Sequence, residues 1–174
     1  MSVYISTLTE NDYEPSLEMI QDAYQDVDAN AYERIQQLRL APEYHYELEV
    51  IAKDEAGDII GHALCTPIHI KSEQEAYHAL MLASLSVKTS YRQMGLGKAL
   101  VRALEERAQA LEYTTMIVVG QQAYFEPLGY ELASQHSITH ANHALQTQTF
   151  VKFLWDTLES PPHGEIAYVS SDFD

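Results

Sequence analysis

Cysteine is almost absent from this sequence of 174 residues, in which Cys65 is the single copy. One cysteine excludes a disulfide within the chain and favours a reducing compartment. No apolar run approaches the ~20 residues that span a bilayer. The first residues also lack the basic and apolar regions of a secretory signal. We therefore expect a cytoplasmic protein that has no membrane partner.

Basic side chains are also scarce, with 10 Lys and Arg against 26 Asp and Glu and a net charge of -16. Such a field repels nucleic acid and anionic lipid, and it weakly favours a cationic partner. Half of the basic residues fall within residues 88–107, namely Lys88, Arg92, Lys98, Arg102 and Arg107. This concentration predicts an anion site, and the alternative is helix-surface pairing with Glu105 and Glu106.

Hydrophobic periodicity predicts one α/β domain over residues 1–174, with the element order β-α-α-β-β-β-α-β-α-β-β. The predicted strands of this order lie at 3–7, 46–52, 59–70, 80–87, 115–119, 150–155 and 166–169, and residues 130–133 are a further candidate strand outside it. Predicted helices follow a cap at 9–12, cover 30–40 and run from Gly95 to Leu111, with a short helical turn at 123–128. Antiparallel hairpins followed by one β-α-β unit indicate an α/β domain on a mixed sheet.

A Gly-x-Gly turn, Gly95 and Gly97, stands where a polar link becomes the apolar stripe of the long central helix. A helix N-terminus offers free N–H groups and positive potential, and glycine lets a phosphate come close. Arg92 and Lys98 flank the turn and add charge. A Walker A loop would need Ser or Thr at Ala99, and a dinucleotide fingerprint would need glycine at Leu100. The remaining alternative is a tight strand-to-helix turn without a ligand.

Two segments around this turn resemble the motifs of the GNAT N-acetyltransferase superfamily. Leu85-Ser86-Val87 followed by Tyr91-Arg92-Gln93-Met94-Gly95-Leu96-Gly97-Lys98-Ala99-Leu100 is similar to its acetyl-CoA motif, [QR]-x-x-G-x-[GA]. Ala123-Tyr124-Phe125-Glu126-Pro127-Leu128-Gly129-Tyr130 resembles its second motif, an aromatic pair before Gly-aromatic. Residues 5–12 and 164–168 also resemble family segments, so that the likeness covers nearly the whole chain.

The resemblance implies a GNAT-like mixed, mostly antiparallel central sheet flanked by helices on both faces, with acetyl-CoA as the acyl donor and no metal. The backbone of Leu85, Ser86 and Val87 would pair with the pantetheine arm, and strands 82–87 and 115–119 would splay apart around the thioester. The pyrophosphate would lie on the turn formed by Arg92, Gln93, Met94, Gly95, Leu96, Gly97 and Lys98. The amine would attack the thioester directly, so that Cys65 needs no catalytic role.

The sequence departs from the family at the proton donor. The family tyrosine lies four residues before the glycine of the second motif, which here is Phe125. Tyr124 would take the role as general acid, or water would, or protonation does not limit the rate. The general base is equally open, because residues 80–87 contain no carboxylate. Glu131 and His78 are weak candidates, and a water relay fits better.

Other polar residues give weaker indications of a metal or cation site. His62 and His69 share a strand, but no cysteine or carboxylate lies at ligand spacing, so we expect no metal there. His136, His140 and His143 fit a polar loop better than a zinc site. Residues 43–49 contain aromatic rings and carboxylates that could line a cation site. The alternative is that they are ordinary strand aromatics and surface charges. The residues concerned are Glu43, Tyr44, Tyr46, Glu47 and Glu49.

The sequence therefore predicts an N-acetyltransferase that acts on a primary amine of a small, cationic acceptor. Two alternatives stay open: a non-catalytic acyl-CoA binder, which Phe125 favours, and a protein lysine or N-terminal acetyltransferase. The acidic balance predicts no nucleic-acid partner, and the sequence is compatible with a homodimer.

Overall fold

The computed structural model describes residues 2–24 and 30–169. The chain divides into two compact units, the first comprising Met1–Thr66 and Ala83–Arg107 and the second Pro67–Leu82 and Ala108–Asp174. Two long strands contribute residues to both units. The assignment of residues 1–174 to one domain stays a prediction.

Four strands build the sheet of the first unit: β1 (Tyr4–Ser6), β2 (Glu49–Lys53), the first half of β3 (Ile59–Lys71) and the second half of β4 (Ala76–Val87). β1 pairs antiparallel with β2, β2 pairs antiparallel with β3, and β4 is the next neighbour of β3. The predicted strand 46–52 was wrong at its start. Tyr46–Leu48 forms a 3-10 turn, because the His45 ring accepts a hydrogen bond from the Glu47 N–H, 3.1 Å away.

Three helices belong mainly to this unit: α1 (Tyr13–Tyr24), α2 (Ala31–Leu40) and α3 (Leu96–Ala110). A capping box precedes α1, in which the Thr9 N–H donates to the Asp12 carboxylate at 2.8 Å. The stripe predicted for α3 is buried, with Leu96, Leu100 and Leu104 all under 9% exposed. These elements confirm the predicted helices and the start of α3 within one residue.

The second unit contains β5 (Thr115–Val119), β6 (Glu131–Leu132), β7 (Ile138–Thr139), β8 (Thr149–Phe153), β9 (Gly164–Tyr168) and the short helix α4 (Gln122–Phe125). β4 pairs in parallel with β5 at Leu80–Met116 and Met81–Ile117. β8 lies antiparallel between β5 and β6, and the end of β3 pairs antiparallel with β9. The partner of β3 changes at Pro67, which has no N–H to donate.

The pairings confirm a mixed, mostly antiparallel sheet with helices, in which β4 pairs in parallel with β5 and β7 pairs in parallel with β9. Residues 134–147 are less irregular than predicted. They contain β7 and 3-10 turns, and His136, His140 and His143 fall in different segments instead of on one helix face. Within residues 2–24 and 30–169, no helix has the length and apolarity needed to cross a membrane.

Candidate functional site

The turn before α3 presents backbone donors to solvent. Gln93 and Gly95 have positive φ angles of 65° and 79°. The first helical bond runs from the Ala99 N–H to the Gly95 carbonyl at 3.1 Å. The N–H groups of Leu96, Gly97 and Lys98 therefore precede the hydrogen-bonded part of the helix and lie at its positive end.

Space as well as geometry at this turn suits a phosphate. A Cβ placed on Gly95 would meet no heavy atom within 4 Å, so that its glycine is explained by the φ angle alone. The side chains of Arg92, Gln93, Met94 and Lys98 are exposed. The turn is thus an open, donor-rich surface that fits an anionic group.

Arg92 holds the turn in place. Its Nε donates to the Val87 carbonyl at the end of β4 at 3.0 Å, and its NH2 donates to the Ala23 carbonyl in the last turn of α1 at 3.3 Å. Arg107 is held similarly, by Thr7 Oγ1 at 2.8 Å and the Glu47 carbonyl at 3.1 Å. The guanidinium groups of Arg92 and Arg107 are therefore bonded to protein oxygen atoms.

The end of β4 contains polar groups of unusual burial. The Leu85 carbonyl accepts a hydrogen bond from the Tyr24 hydroxyl of α1. Ser84 and Ser86 are 6% and 5% exposed, and among the described residues their hydroxyls have no hydrogen-bond partner. Leu85 and Val87, which alternate with them, are partly exposed. The two serines share one face of the strand, so that β4 presents two buried hydroxyls in a row.

Phe125 of the second motif belongs to the core of the second unit. The residue is 7% exposed, and its Cε2 lies 2.6 Å from the point where a Cβ on Gly120 would stand. Its ring also meets Tyr130 edge to face at 5.7 Å. Tyr124 is half-buried, and burial raises the pKa of its hydroxyl. The two aromatic residues thus have different environments, with Tyr124 the more accessible.

A buried ionic network in the first unit was missed by the sequence-based interpretation. At its centre Glu49 is 0% exposed. Arg39 donates to both carboxylate oxygens, with NH2 to Oε2 at 2.7 Å and Nε to Oε1 at 3.2 Å. The Tyr44 hydroxyl donates to Oε1 at 2.7 Å, and His62 Nε2 lies 2.6 Å from Oε2. Glu49 is therefore neither a surface charge nor part of an open cation site.

The protonation states of this network follow from its contacts. Burial acts to raise the pKa of Glu49, but the hydrogen bonds and charges of His62 and Arg39 outweigh it and lower the pKa to about 2. Burial lowers the pKa of His62. Burial and the bond to Glu49 raise the pKa of Tyr44. At neutral pH the network holds an ionised carboxylate beside a neutral imidazole.

The other candidate groups offer less chemistry. Cys65 is buried, and burial raises the pKa of its thiol, so that it is a poor nucleophile. Glu131 is exposed and lies 3.3 Å from His136. His78 is exposed and packs against His69 at 5.0 Å. In the described part of the chain, no three His, Cys, Asp or Glu side chains are arranged to hold a metal ion.

The sequence matches known acetyltransferases. Residues 10–130 match the model of the acetyltransferase (GNAT) family. The uncharacterised N-acetyltransferase YhbS of Escherichia coli K12 is 28% identical over 91 residues, which are 52% of this chain and 53% of YhbS. The uncharacterised N-acetyltransferase YjhQ of the same strain is 32% identical over 84 residues, 48% of this chain and 46% of YjhQ. The chain thus aligns with about half the length of these relatives.

Solved structures show the same fold. The Escherichia coli YhbS structure in complex with CoA superposes with a TM-score of 0.85 at 20% identity, covering 95% of this chain and 89% of that one. A GNAT family acetyltransferase from Brucella melitensis in complex with acetyl-CoA gives a TM-score of 0.77 at 18% identity, covering 99% of both chains. At these identities the likeness is one of fold.

Proposed function

Since the chain belongs to the acetyltransferase (GNAT) family, we propose that it transfers the acetyl group of acetyl-CoA to a primary amine of a small, cationic acceptor. The observation that carries the proposal is the open turn before α3, with Gly95 at positive φ and the amides of Leu96, Gly97 and Lys98 at the helix N-terminus. The CoA and acetyl-CoA complexes of proteins with the same fold support this assignment.

The turn would bind the pyrophosphate of acetyl-CoA. Backbone N–H groups at a helix N-terminus and the macrodipole both favour a phosphate. Lys98 is exposed and free to move toward it, while Arg92 adds charge from a fixed position. The backbone of Leu85, Ser86 and Val87, which follows the last β4–β5 pair at Met81, would hold the pantetheine arm.

The reaction needs a neutral amine, a polarised carbonyl and a proton for the leaving sulfur. The amine nitrogen attacks the thioester carbon, a C–N bond forms, the C–S bond breaks, and the thiolate takes a proton to give CoA. Tyr124 is our candidate for that proton, because its hydroxyl is half-buried and Phe125 has none. Replacing Tyr124 with Phe should lower turnover and change its pH dependence, whereas unchanged turnover at every pH would remove the role.

The acceptor class follows from charge. A net charge of -16 attracts a cationic amine and repels anionic partners.

One observation favours a second candidate, a non-catalytic acyl-CoA binder: Phe125, at the position of the family tyrosine, is packed against Gly120 and has no hydroxyl. Release of free thiol from acetyl-CoA with a panel of small amines and peptides distinguishes these functions. Tight binding without release favours the binder, and release with peptides alone favours protein acetylation.

Calorimetry and thermal unfolding with acetyl-CoA test the binding site directly. At ~100 times the dissociation constant, acetyl-CoA should stabilise the wild type by ~2.7 kcal/mol. Gly97→Glu should lose this stabilisation, because a carboxylate would crowd the turn and repel phosphate. Arg102→Gln is the matched control, since it changes the charge of the same helix by the same amount at an exposed position. If acetyl-CoA stabilised the wild type and Gly97→Glu equally, the turn before α3 would not be its binding site.

A further inference from the structure

The contact between His62 and Glu49 defines which imidazole nitrogen is basic. Ionised Glu49 can only accept hydrogen bonds, and His62 Nε2 lies 2.6 Å from its Oε2. Nε2 therefore carries the proton of the neutral ring, and Nδ1 keeps its lone pair. Within the described residues Nδ1 has no hydrogen-bond partner, although His62 is fully buried. A buried, unpaired proton acceptor is costly unless it has a partner or a role.

The carboxylate beside His62 is itself held firmly. Arg39 from α2 and Tyr44 bond both oxygens of Glu49, and Arg39 NH2 also donates to Ser16 Oγ of α1 at 2.8 Å. Tyr13 of α1 lies 3.2 Å from Tyr44, hydroxyl to hydroxyl. Arg39 and Tyr44 thus fix Glu49, α1 supports both of them, and Glu49 fixes the orientation of the His62 ring, as a carboxylate orients the histidine of a hydrolase triad.

Strand geometry places His62 beside the buried serines of β4. A Cβ on Gly61 would meet Leu100 of α3 at 3.0 Å, so that the next residue, His62, points to the opposite face. The Lys88 N–H donates to the Ile60 carbonyl at 2.8 Å, which aligns the end of β4 with the start of β3. Counting two residues along antiparallel strands from this bond puts His62 opposite Ser86, with both side chains on one face.

We propose that His62 is a positioning residue that takes the proton of the acceptor amine through a water molecule held between His62 Nδ1 and the hydroxyls of Ser84 and Ser86. The inference rests on the proposed acetyl transfer and assigns its missing base. Three unpaired polar atoms give such a water the two or more partners that a buried water needs.

The proton balance is simple. The ammonium form of the acceptor gives a proton to the water, and the water passes one of its own to Nδ1, which leaves a neutral amine and an imidazolium beside Glu49. The amine then forms the C–N bond, the C–S bond breaks, and the thiolate sulfur takes a proton from Tyr124, which regains one from the attacking nitrogen. The imidazolium returns its proton to solvent by the same path, so that the net products are the amide, CoA and one proton.

The surroundings of His62 suit a transient charge. Glu49 from β2 stabilises the imidazolium, while Arg39 from α2 and burial oppose it, and Tyr13, Ser16 and Tyr44 contribute neutral dipoles. Because burial lowers the pKa of His62, the ring is neutral at physiological pH and ready to accept a proton.

The test compares two acceptors that differ in their need for a base. An alkyl amine is protonated at neutral pH, whereas an aryl amine is already neutral. For His62→Gln we expect kcat/KM with the alkyl amine to fall ~100-fold, with the loss shrinking as pH rises, and kcat/KM with the aryl amine to change little. The KM for acetyl-CoA should not change. His69→Gln, on the same strand, should behave as the wild type, and Ser86→Ala should show a smaller version of the His62→Gln profile.

Failure of this inference differs from failure of the proposed function. Equal losses with both amines would mean that His62 is merely structural and would overturn the proposal. If the wild type binds acetyl-CoA but acetylates no amine, the proposed function fails, and nitrogen-15 NMR of the His62 ring still decides the basis of the inference. A spectrum with the proton on Nε2 and an unprotonated Nδ1 supports it, and a proton on Nδ1 at neutral pH overturns it.

Discussion

Removing the charge partner of Glu49 should cost the fold more than any surface ion pair. The side chain of Glu49 is 0% exposed and that of Arg39 10%. Arg39→Met keeps much of the volume of the arginine stem but leaves a carboxylate buried without its cation. Breaking a buried pair in this way typically costs ~3–5 kcal/mol. The loss of the bond to Ser16 Oγ acts in the same direction.

The pH dependence of stability gives a second measure of the free energy that the Glu49 network contributes to folding. The pKa of Glu49 is lowered from 4.5 to about 2 in the folded protein. Because the folded pKa is the lower one, the stabilisation is complete above the unfolded pKa and is lost as pH falls toward about 2. The shift corresponds to ~3 kcal/mol for the network as a whole, to which His62 contributes more than Arg39. In Arg39→Met this acid sensitivity should decrease but persist in part, because His62 still contacts the Glu49 carboxylate.

Urea unfolding at about pH 7 and about pH 3 measures both effects. Glu131→Gln is the control, because the pair of Glu131 and His136 is 63% and 30% exposed and should contribute at most ~1 kcal/mol. The double variant Arg39→Met/Glu49→Leu should regain much of the stability by removing the unpaired charge. If Arg39→Met costs no more than Glu131→Gln, the network does not stabilise the fold as argued.

Three further predictions concern single positions. Gly95→Ala should cost ~1–2 kcal/mol in urea unfolding, and Gly95→Asn less, because the φ angle of 79° alone demands glycine; equal costs would contradict this. Gly120→Ala should cost ~1–3 kcal/mol, since its Cβ would stand 2.6 Å from Phe125 Cε2, and adding Phe125→Leu should recover part of the loss. A thiol reagent should label Cys65 rapidly in the unfolded protein but slowly in the native protein, because the thiol is buried. Equal labelling rates in the two states would refute its burial.

Local pattern predicted most of the fold. The spacing of Leu96, Leu100 and Leu104 fixes both the period and the inward face of α3, and Gly95 directly before it marks its start. The β-branched run at residues 115–119 matches β5 in full. These features depend on neighbours within a few residues, which is the range over which sequence patterns carry information.

The burial of β2 could not be predicted in the same way. Alternation placed Leu48, Val50 and Ala52 inward and left Glu49 to the surface. In the structure Glu49 is buried as well, on the face opposite to Ala52, because α1 and α2 supply side chains that cover this face. A strand covered on both faces does not alternate, and a carboxylate on it needs a cation that arrives from a distant segment.

The two parts of the proposed chemistry, binding of the pyrophosphate and deprotonation of the amine, also differ in whether local or distant residues encode them. An anion turn is encoded in consecutive residues, because a helix N-terminus and a left-handed glycine are local features. The proposed proton acceptor is not, since Glu49 and His62 meet through the register in which β2 pairs with β3, with Ile51 opposite His62 and Glu49 opposite Leu64. Residues 80–87 contain no carboxylate, and the proposed proton acceptor lies on β3 instead. The backbone proposed to hold the pantetheine arm lies on β4, and the proposed proton acceptor lies on the neighbouring strand β3. The pairing of β3 with β2 brings that proton acceptor to its carboxylate.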